Sequence, residues 1–142
     1  KRIDTPVGLK LIDGGKQPAC LIDATNLANG IFLCITKDIA RNQTYFFMDD
    51  WQVSWKQYFT DLAAMKGKKP GGSIPFKVAY VVASIAELVF PLSGKNPPLA
   101  KKSAKATGTN RTVSTEKARK ELGWTSIISY EESMQKIKES LL

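Results

Sequence analysis

Apolar and polar positions along the chain alternate between two periods. LKLIDGG (9–15) is a short apolar run ending on a Gly-Gly pair, the pattern of a strand entering a turn. ACLID (19–23) predicts a second short strand. Asp23 or Thr25 then caps a helix through about Thr36, with Leu27, Ile31, Cys34 and Ile35 as its apolar face. QTYFFM (43–48) is aromatic and apolar throughout and reads as a buried strand, stopped by Asp49-Asp50. Ser54 and Gln57 have the spacing of a capping box. The helix they open carries Trp55, Tyr58, Phe59, Leu62 and Met65 at helical intervals, and Gly67 falls where a left-handed residue closes a helix.

Beyond this point the helical period dominates. KKPGGSIP (68–75) predicts a linker with a short strand at Ile74. FKVAYVVASIAELVFPL (76–92) is the most apolar stretch; at 17 residues it falls short of the ~20 that cross a bilayer, so it reads as a buried or groove-lining helix. SGKNPPLAKKSAKATGTNRT (93–112) predicts a loop or partly helical flap. In STEKARKELGW (114–124), Ser114 or Thr115 caps a two-turn helix over 116–122, Gly123 ends it and Trp124 packs back. Ser129 and Glu132 make a second capping box, opening a last helix with Tyr130, Met134, Ile137 and Leu141 on one face. The predicted class is α/β passing into α+β, with about four short strands and about five helices. So few short strands are thin for an independent sheet: either the sheet is small or its other strands lie outside this sequence.

Composition narrows the chemistry. The 142 residues, 43% hydrophobic, suit one domain with a real core. Twenty-one Lys+Arg against 13 Asp+Glu give a formal charge of +8, which favours anionic partners: nucleic acid, a membrane surface, a phosphorylated ligand or an acidic domain. The absence of histidine removes Ser-His-Asp and Cys-His chemistry and every His-containing metal site, leaving acid–base work to Asp, Glu, Lys or Tyr. Cys20 and Cys34, with no CxxC, argue against a disulfide framework and a cysteine zinc site and suit a reducing cytoplasm. The chain opens on Lys1-Arg2 with no signal-peptide pattern, which fits a processed piece of a longer polypeptide.

The order of these segments resembles the extended short-chain dehydrogenases/reductases. LKLIDGG is similar to that family's L-x-L-I-G-D-G turn, and ACLIDATNLANGIFLCI (19–35) to its strand, Asp-rich turn and helix. QTYFFMDDWQVSWKQYFTDLA (43–63) resembles the strand, turn and helix that follow, and SYEESM (129–134) the S-L-E-E-G-L near the carboxyl end. The most specific match is KARKELGW (117–124), which resembles S-K-A-R-R-E-L-G-W. Thr25-Asn26, Ser114 and Ser126 depart from the family pattern, where an Asp pair, an Asp and a Pro are usual. The branches most like this chain are the NAD-dependent epimerase/dehydratases, the dihydroflavonol-reductase-like proteins and the 3β-hydroxysteroid-dehydrogenase-like proteins.

What the resemblance implies is a part rather than a whole. The family holds NAD or NADP on a Gly-rich turn of a Rossmann half, where a helix N-terminus meets the pyrophosphate; no G-x-G-x-x-G or G-x-x-G-x-x-G occurs here. Its catalytic pair is Tyr-x-x-x-Lys, yet four residues beyond Tyr45, Tyr58, Tyr80 and Tyr130 stand Asp49, Leu62, Ser84 and Met134. The resemblance therefore covers the carboxyl-terminal, substrate-binding portion. It implies a missing amino-terminal Rossmann half as partner, NAD or NADP in the intact protein with none bound by this chain alone, and no catalytic or metal-binding residue here. The substrate would be a nucleotide sugar or a small hydrophobic alcohol or ketone, with a lid over about 68–112, and the isolated chain would be inactive.

Candidate substrate contacts are Arg111, Lys16, Trp51 and Tyr80. Arg111 precedes the STEKARKELGW helix and suits bidentate anion recognition, and Lys16 sits in the GGKQP turn. Trp51 lies in a turn, free to meet a ligand or interface, and Tyr80 belongs with Phe76, Val81, Ile85, Leu88 and Val89 to an apolar surface that would line a pocket or pack in the core. The competing structural roles are definite. Lys117, Arg119 and Lys120, interleaved with Glu116 and Glu121, make a solvated helix face. Asp23 is a cap, Asp49-Asp50 ends a strand rather than binding a metal, and Trp55 is a core residue. Two other classes stand beside the enzyme reading. One is a basic module for nucleic acid or an acidic protein, against which the aromatics fall in apolar runs rather than among the basic residues. The other is a membrane-peripheral protein using helix 76–92.

Overall fold

A computed structural model describes residues 10–69, 71–89, 100–110 and 112–140. They form two compact units, each assembled from separate stretches of chain: 10–19 with the described part of 53–110, and 20–52 with 112–140. In order the elements are β1 (Lys10–Ile12), α1 (Ala24–Thr36), α2 (Trp55–Met65), β2 (Gly71–Ile74), α3 (Phe76–Val89), α4 (Lys101–Gly108), α5 (Glu116–Leu122) and α6 (Tyr130–Glu139).

The first unit is built on a parallel pair, β1 with β2, in which Leu11 faces Ser73 and Ile12 faces Ile74. A 3-10 turn at Asp13–Gly15 follows β1. Asp13, Gly14 and Gly15 all have positive φ, and a Cβ on Gly15 would stand 2.8 Å from the Lys56 nitrogen, so glycine is required there. The turn is tied to the next strand and helix. Gly14 N–H donates to Ser73 Oγ at 2.7 Å, and Phe76 N–H donates to Asp13 Oδ1 at 2.9 Å. A carboxylate distant in sequence thus satisfies an orphan donor in the first turn of α3. Ile12, Ala79 and Ala104 form the buried centre, flanked by Ile74 and Phe76. Alanines at 79, 83 and 86 let α3 come close to its neighbours. Ser54 Oγ accepts from Gln57 N–H to start α2, one half of the expected capping box, and Gly67, at φ 62°, follows its end as the sequence indicates.

The second unit packs α1, α5 and the chain around Trp124. α5 ends at Gly123 in the left-handed region, φ 64°. Trp124 then folds back, its N–H donating to Ala118 O at 3.3 Å, and is fully buried with Ala40, Ala118 and Leu122. The Phe47 ring meets the Trp124 indole edge-on at 5.2 Å. α6 opens with both halves of the Ser129–Glu132 capping box in place.

Three expectations are corrected. ACLID and QTYFFM are not strands, and the described residues contain two strands instead of about four. Residues 43–54 run without a ladder, and the bonds they and 19–23 make are isolated ones, Ala19 N–H to Val53 O and Asp49 N–H to Leu21 O, each within one unit. Apolar β-formers make a strand only in a continued ladder, and residues 17–21 meet 49–55 through scattered bonds and one isolated bridge, Pro18 with Ser54. The face expected to bury α1 is reversed in part. Leu27, Ile31 and Ile35 are exposed, Ile35 by 78%, while Asn26 and Gly30 are buried and Leu33 and Cys34 pack against the core. Trp55 is half-buried and stacks on Phe59 at 5.2 Å rather than entering a core cluster. The stretch expected as a lid, 68–112, holds β2, α3 and α4; within it residues 70, 90–99 and 111 lie outside the described residues.

Candidate functional site

Most of the polar side chains that sequence singles out turn out to serve the fold. The densest polar cluster is in the second unit. Asn26, fully buried, donates from Nδ2 to Asp49 Oδ1 at 2.7 Å and to Ile128 O at 3.1 Å, and its Oδ1 accepts from Ile127 and Ile128 N–H at 2.9 Å each. All four bonding positions of the carboxamide are thus filled. Asp49 also accepts from Asp23 N–H at 2.6 Å and from Ser126 Oγ at 2.7 Å. Asp23 caps α1 through Thr25 N–H at 2.7 Å and accepts from Ser133 Oγ at 2.7 Å. Burial pushes the Asp23 carboxyl up, but the bonds from Ser133 and Thr25 and the charge of Lys136 outweigh it, so it lies below its ordinary 3.8. These carboxylates are committed acceptors, and no group of three or more metal-ligating side chains occurs among the described residues.

Sequence reasoning missed Asn26 as a node. The available signal was a polar residue at a position that pairs with Leu33 and Cys34 along the inner stripe of α1, in place of the Leu27 stripe. Ser126, read as a departure from an expected proline, is an Asp49 partner.

The basic residues of α5 are engaged as well. Lys117 Nζ donates to Gln43 Oε1 at 2.6 Å and lies 4.9 Å from the centre of the Tyr45 ring. Arg119 pairs with Asp50, which raises its pKa further, and Lys120 pairs with Glu116 at 2.7 Å. The Tyr45 hydroxyl donates to Glu121 Oε2 at 2.6 Å. That bond first, then burial and the Glu121 charge, push the phenol up to about 12. A shallow depression lined by Ser114, Glu116, Lys117, Lys120 and Glu121 lies on this helix; it is open, mixed in sign and built of residues already paired, the solvated face the sequence predicts.

The four expected substrate contacts fall as follows. Lys16 is exposed at the end of the 3-10 turn in the first unit. Tyr80, half-buried on α3 in the same unit, packs against Phe76 at 6.0 Å and has Lys105 Nζ 5.6 Å from its ring centre. Trp51 belongs to the second unit, half-buried, and meets Tyr130 edge-on at 5.5 Å, while its buried indole N–H has no acceptor among the described residues. Arg111 lies outside the described residues. The Gly14-Gly15 turn is followed by Lys16 and irregular chain rather than by a helix start.

Two apolar surfaces remain outside the cores. α1 exposes Leu27, Ile31, Phe32 and Ile35, with Ile39 beyond its end. α3 exposes Val78, Val81, Val82, Ile85, Leu88 and Val89, each by half or more. Scattered exposed apolar residues are ordinary; continuous stripes of them mark surfaces that meet something.

No family model matches the chain. Over 132 residues it is 31% identical to "Sterol-4-alpha-carboxylate 3-dehydrogenase, decarboxylating" from Dictyostelium discoideum, covering 89% of this chain and 40% of that protein. It is 23% identical, also over 132 residues, to "4-hydroxy-2-methyl-3-oxo-4-farnesyl-3,4-dihydroquinoline-1-oxide ketoreductase" from Stigmatella aurantiaca, covering 91% of this chain and 39% of that one. The crystal structure of gox2253 overlaps 70% of this chain and 30% of its own, at 20% identity and a TM-score of 0.46. The chain thus spans about two-fifths of the length of the curated relatives it matches, and both are enzymes of the dehydrogenase/reductase kind.

Proposed function

We propose that this chain is the substrate-side, carboxyl-terminal portion of an extended short-chain dehydrogenase/reductase that uses NAD or NADP. The observation that carries the reading is the alignment of nine-tenths of this chain with only two-fifths of a dehydrogenase and of a ketoreductase. The exposed stripe of α1 supports it. A helix that caps itself correctly yet turns Leu27, Ile31 and Ile35 outward is shaped for cover by further polypeptide. In this reading the cover is the amino-terminal Rossmann half, which supplies the nicotinamide, the Gly-rich turn and the Tyr-x-x-x-Lys pair. The present residues supply shape and positive charge and do not move the proton.

The names of the relatives favour a hydrophobic alcohol or ketone over a nucleotide sugar as substrate. Lys16, Trp51, Tyr80 and Arg111 keep their substrate-contacting roles within this proposal, each by itself. Alone, the chain lowers no barrier, because binding groups without the hydride donor and the proton-transfer pair stabilise no transition state. The test is to assay this chain, and the longer reading frame that contains it, for NAD(P)H-linked turnover of hydroxysteroids and lipophilic ketones. The expected result is turnover by the longer protein and none by the chain alone. Turnover by the chain alone, no turnover by the longer protein, or a reading frame that encodes no cofactor-binding half overturns the proposal.

A further inference from the structure

α1 is held so that its outward stripe cannot turn inward. Asn26 is fully bonded to Asp49, Ile127 and Ile128. Gly30 lies so near the Phe47 ring that a Cβ there would stand 2.8 Å from it. Asp23 caps the helix and is itself tied to Ser133. Leu27, Ile31, Phe32 and Ile35 are then left outward at i, i+4, i+5 and i+8, exposed by 37%, 50%, 61% and 78%. Ala24, Ala28 and Thr36 are exposed with them. At ~1.5 Å per residue the stripe is about 12 Å long.

Charge selects the partner. No Asp, Glu, Lys or Arg occurs from Ala24 to Thr36. A two-fold pair sets one patch against its own image, so a charged patch repels itself and a neutral one does not. The sequence of the second unit, which holds α1, has seven Lys+Arg against nine Asp+Glu, whereas that of the first unit has fourteen against four. Two copies thus approach across α1 with little long-range repulsion. A strongly acidic or basic partner finds no opposite charge on this helix. At roughly 150–200 Å² for a large apolar side chain, the stripe and its exposed neighbours offer on the order of 500 Å² per copy, or ~1,000 Å² for a pair, the lower end for a specific contact. We propose that the 142-residue chain pairs with a second copy of itself across α1, helix against helix about a two-fold axis. This goes beyond the enzymatic reading. In a longer protein the amino-terminal half and the second copy contend for one face, because either cover excludes the other.

The experiment is sedimentation equilibrium of the 142-residue chain from about 1 to about 100 μM, with a thermal melt at each end of that range. The mass is expected to rise from one chain towards two, and the thermal midpoint to rise with concentration. Ile31→Asp with Ile35→Asp weakens pairing about a hundredfold or more, because pairing then buries unpartnered carboxylates. Both positions are exposed in the single chain, so an unchanged circular-dichroism spectrum shows that the fold is kept. Phe32→Ala, which adds no charge, weakens pairing about tenfold by removing apolar area. Val81→Asp with Ile85→Asp, on the exposed face of α3, leaves pairing unchanged. The proposal is overturned by any of three results. The first is the mass of one chain at the highest concentration. The second is pairing that both α1 variants retain. The third is pairing that the α3 variant abolishes. None of these measurements involves cofactor or turnover, so the pairing and the enzymatic reading stand or fall separately.

Discussion

Asn26 joins α1 to Asp49 and to the backbone at Ile127 and Ile128 by bonds that leave its side chain no spare capacity. Replacing it by Ala takes one bond each from two part-buried N–H groups, from Ile128 O and from Asp49 Oδ1. At about 1–3 kcal/mol per orphaned group, Asn26→Ala costs about 3 kcal/mol or more, read as a drop in the denaturant midpoint at constant slope. Tyr45 offers a second residue-level test. Its folded value is raised from the ordinary 10.0 to about 12, so the neutral phenol is held by Glu121. That contribution is fully present below pH 10 and is lost as the pH rises through about 12. Spectrophotometric titration should show Tyr45 ionising late, together with Tyr58, whose phenol burial also pushes up, and Tyr45→Phe should remove the Tyr45 step and the loss of stability in this window. Little of this was legible beforehand, because a carboxamide on a helix gives no hint of which distant backbone will meet it.

Elements defined by local chemistry were read correctly, and those defined by neighbours were not. The Gly123 terminus of α5 and the return of Trp124 follow from a left-handed residue that lies within eleven positions of sequence, whereas the Thr115 N-cap makes no side-chain cap bond and Ser114 Oγ accepts from Glu116 N–H at 3.3 Å instead. The same holds for the Ser129–Glu132 box. The two apolar runs taken for strands contain the right residues but form no continued ladder. α1 was placed within a residue of its ends, yet its apolar stripe was assigned to the core of a chain that leaves it bare. The α5 terminus gives the cleanest test at this scale. A Cβ on Gly123 would meet nothing nearer than Lys37 Nζ at 4.0 Å, so only the backbone resists it. Gly123→Ala therefore costs about 1 kcal/mol, the left-handed penalty alone, measurable as a shift in the thermal midpoint with no change in near-ultraviolet signal from Trp124.

At the level of the whole molecule, periodicity assumes that every apolar face has its cover in the same polypeptide. Here α1 and α3 break that assumption in different ways. One stripe lies in a unit with a slight acidic excess, the other in a unit that carries the whole basic excess. Of the expected α/β passing into α+β class, the helices of the later chain were legible from the order of segments and the four strands were not; nor was the partition into units, since each is assembled from stretches far apart in the chain.

That interleaving sets a timetable for synthesis. α1 is translated before the Ile127 and Ile128 backbone that completes the Asn26 bonds and before Ala118, Leu122 and Trp124 of the core on which Leu33 and Cys34 pack. At ~5–20 residues per second, the nascent segment 20–52 waits roughly 4–15 s for its counterpart. Through that interval Leu33, Cys34 and Phe47 are in water beside the outward stripe of α1, which makes this segment a natural client for a chaperone and its release contingent on the last thirty residues.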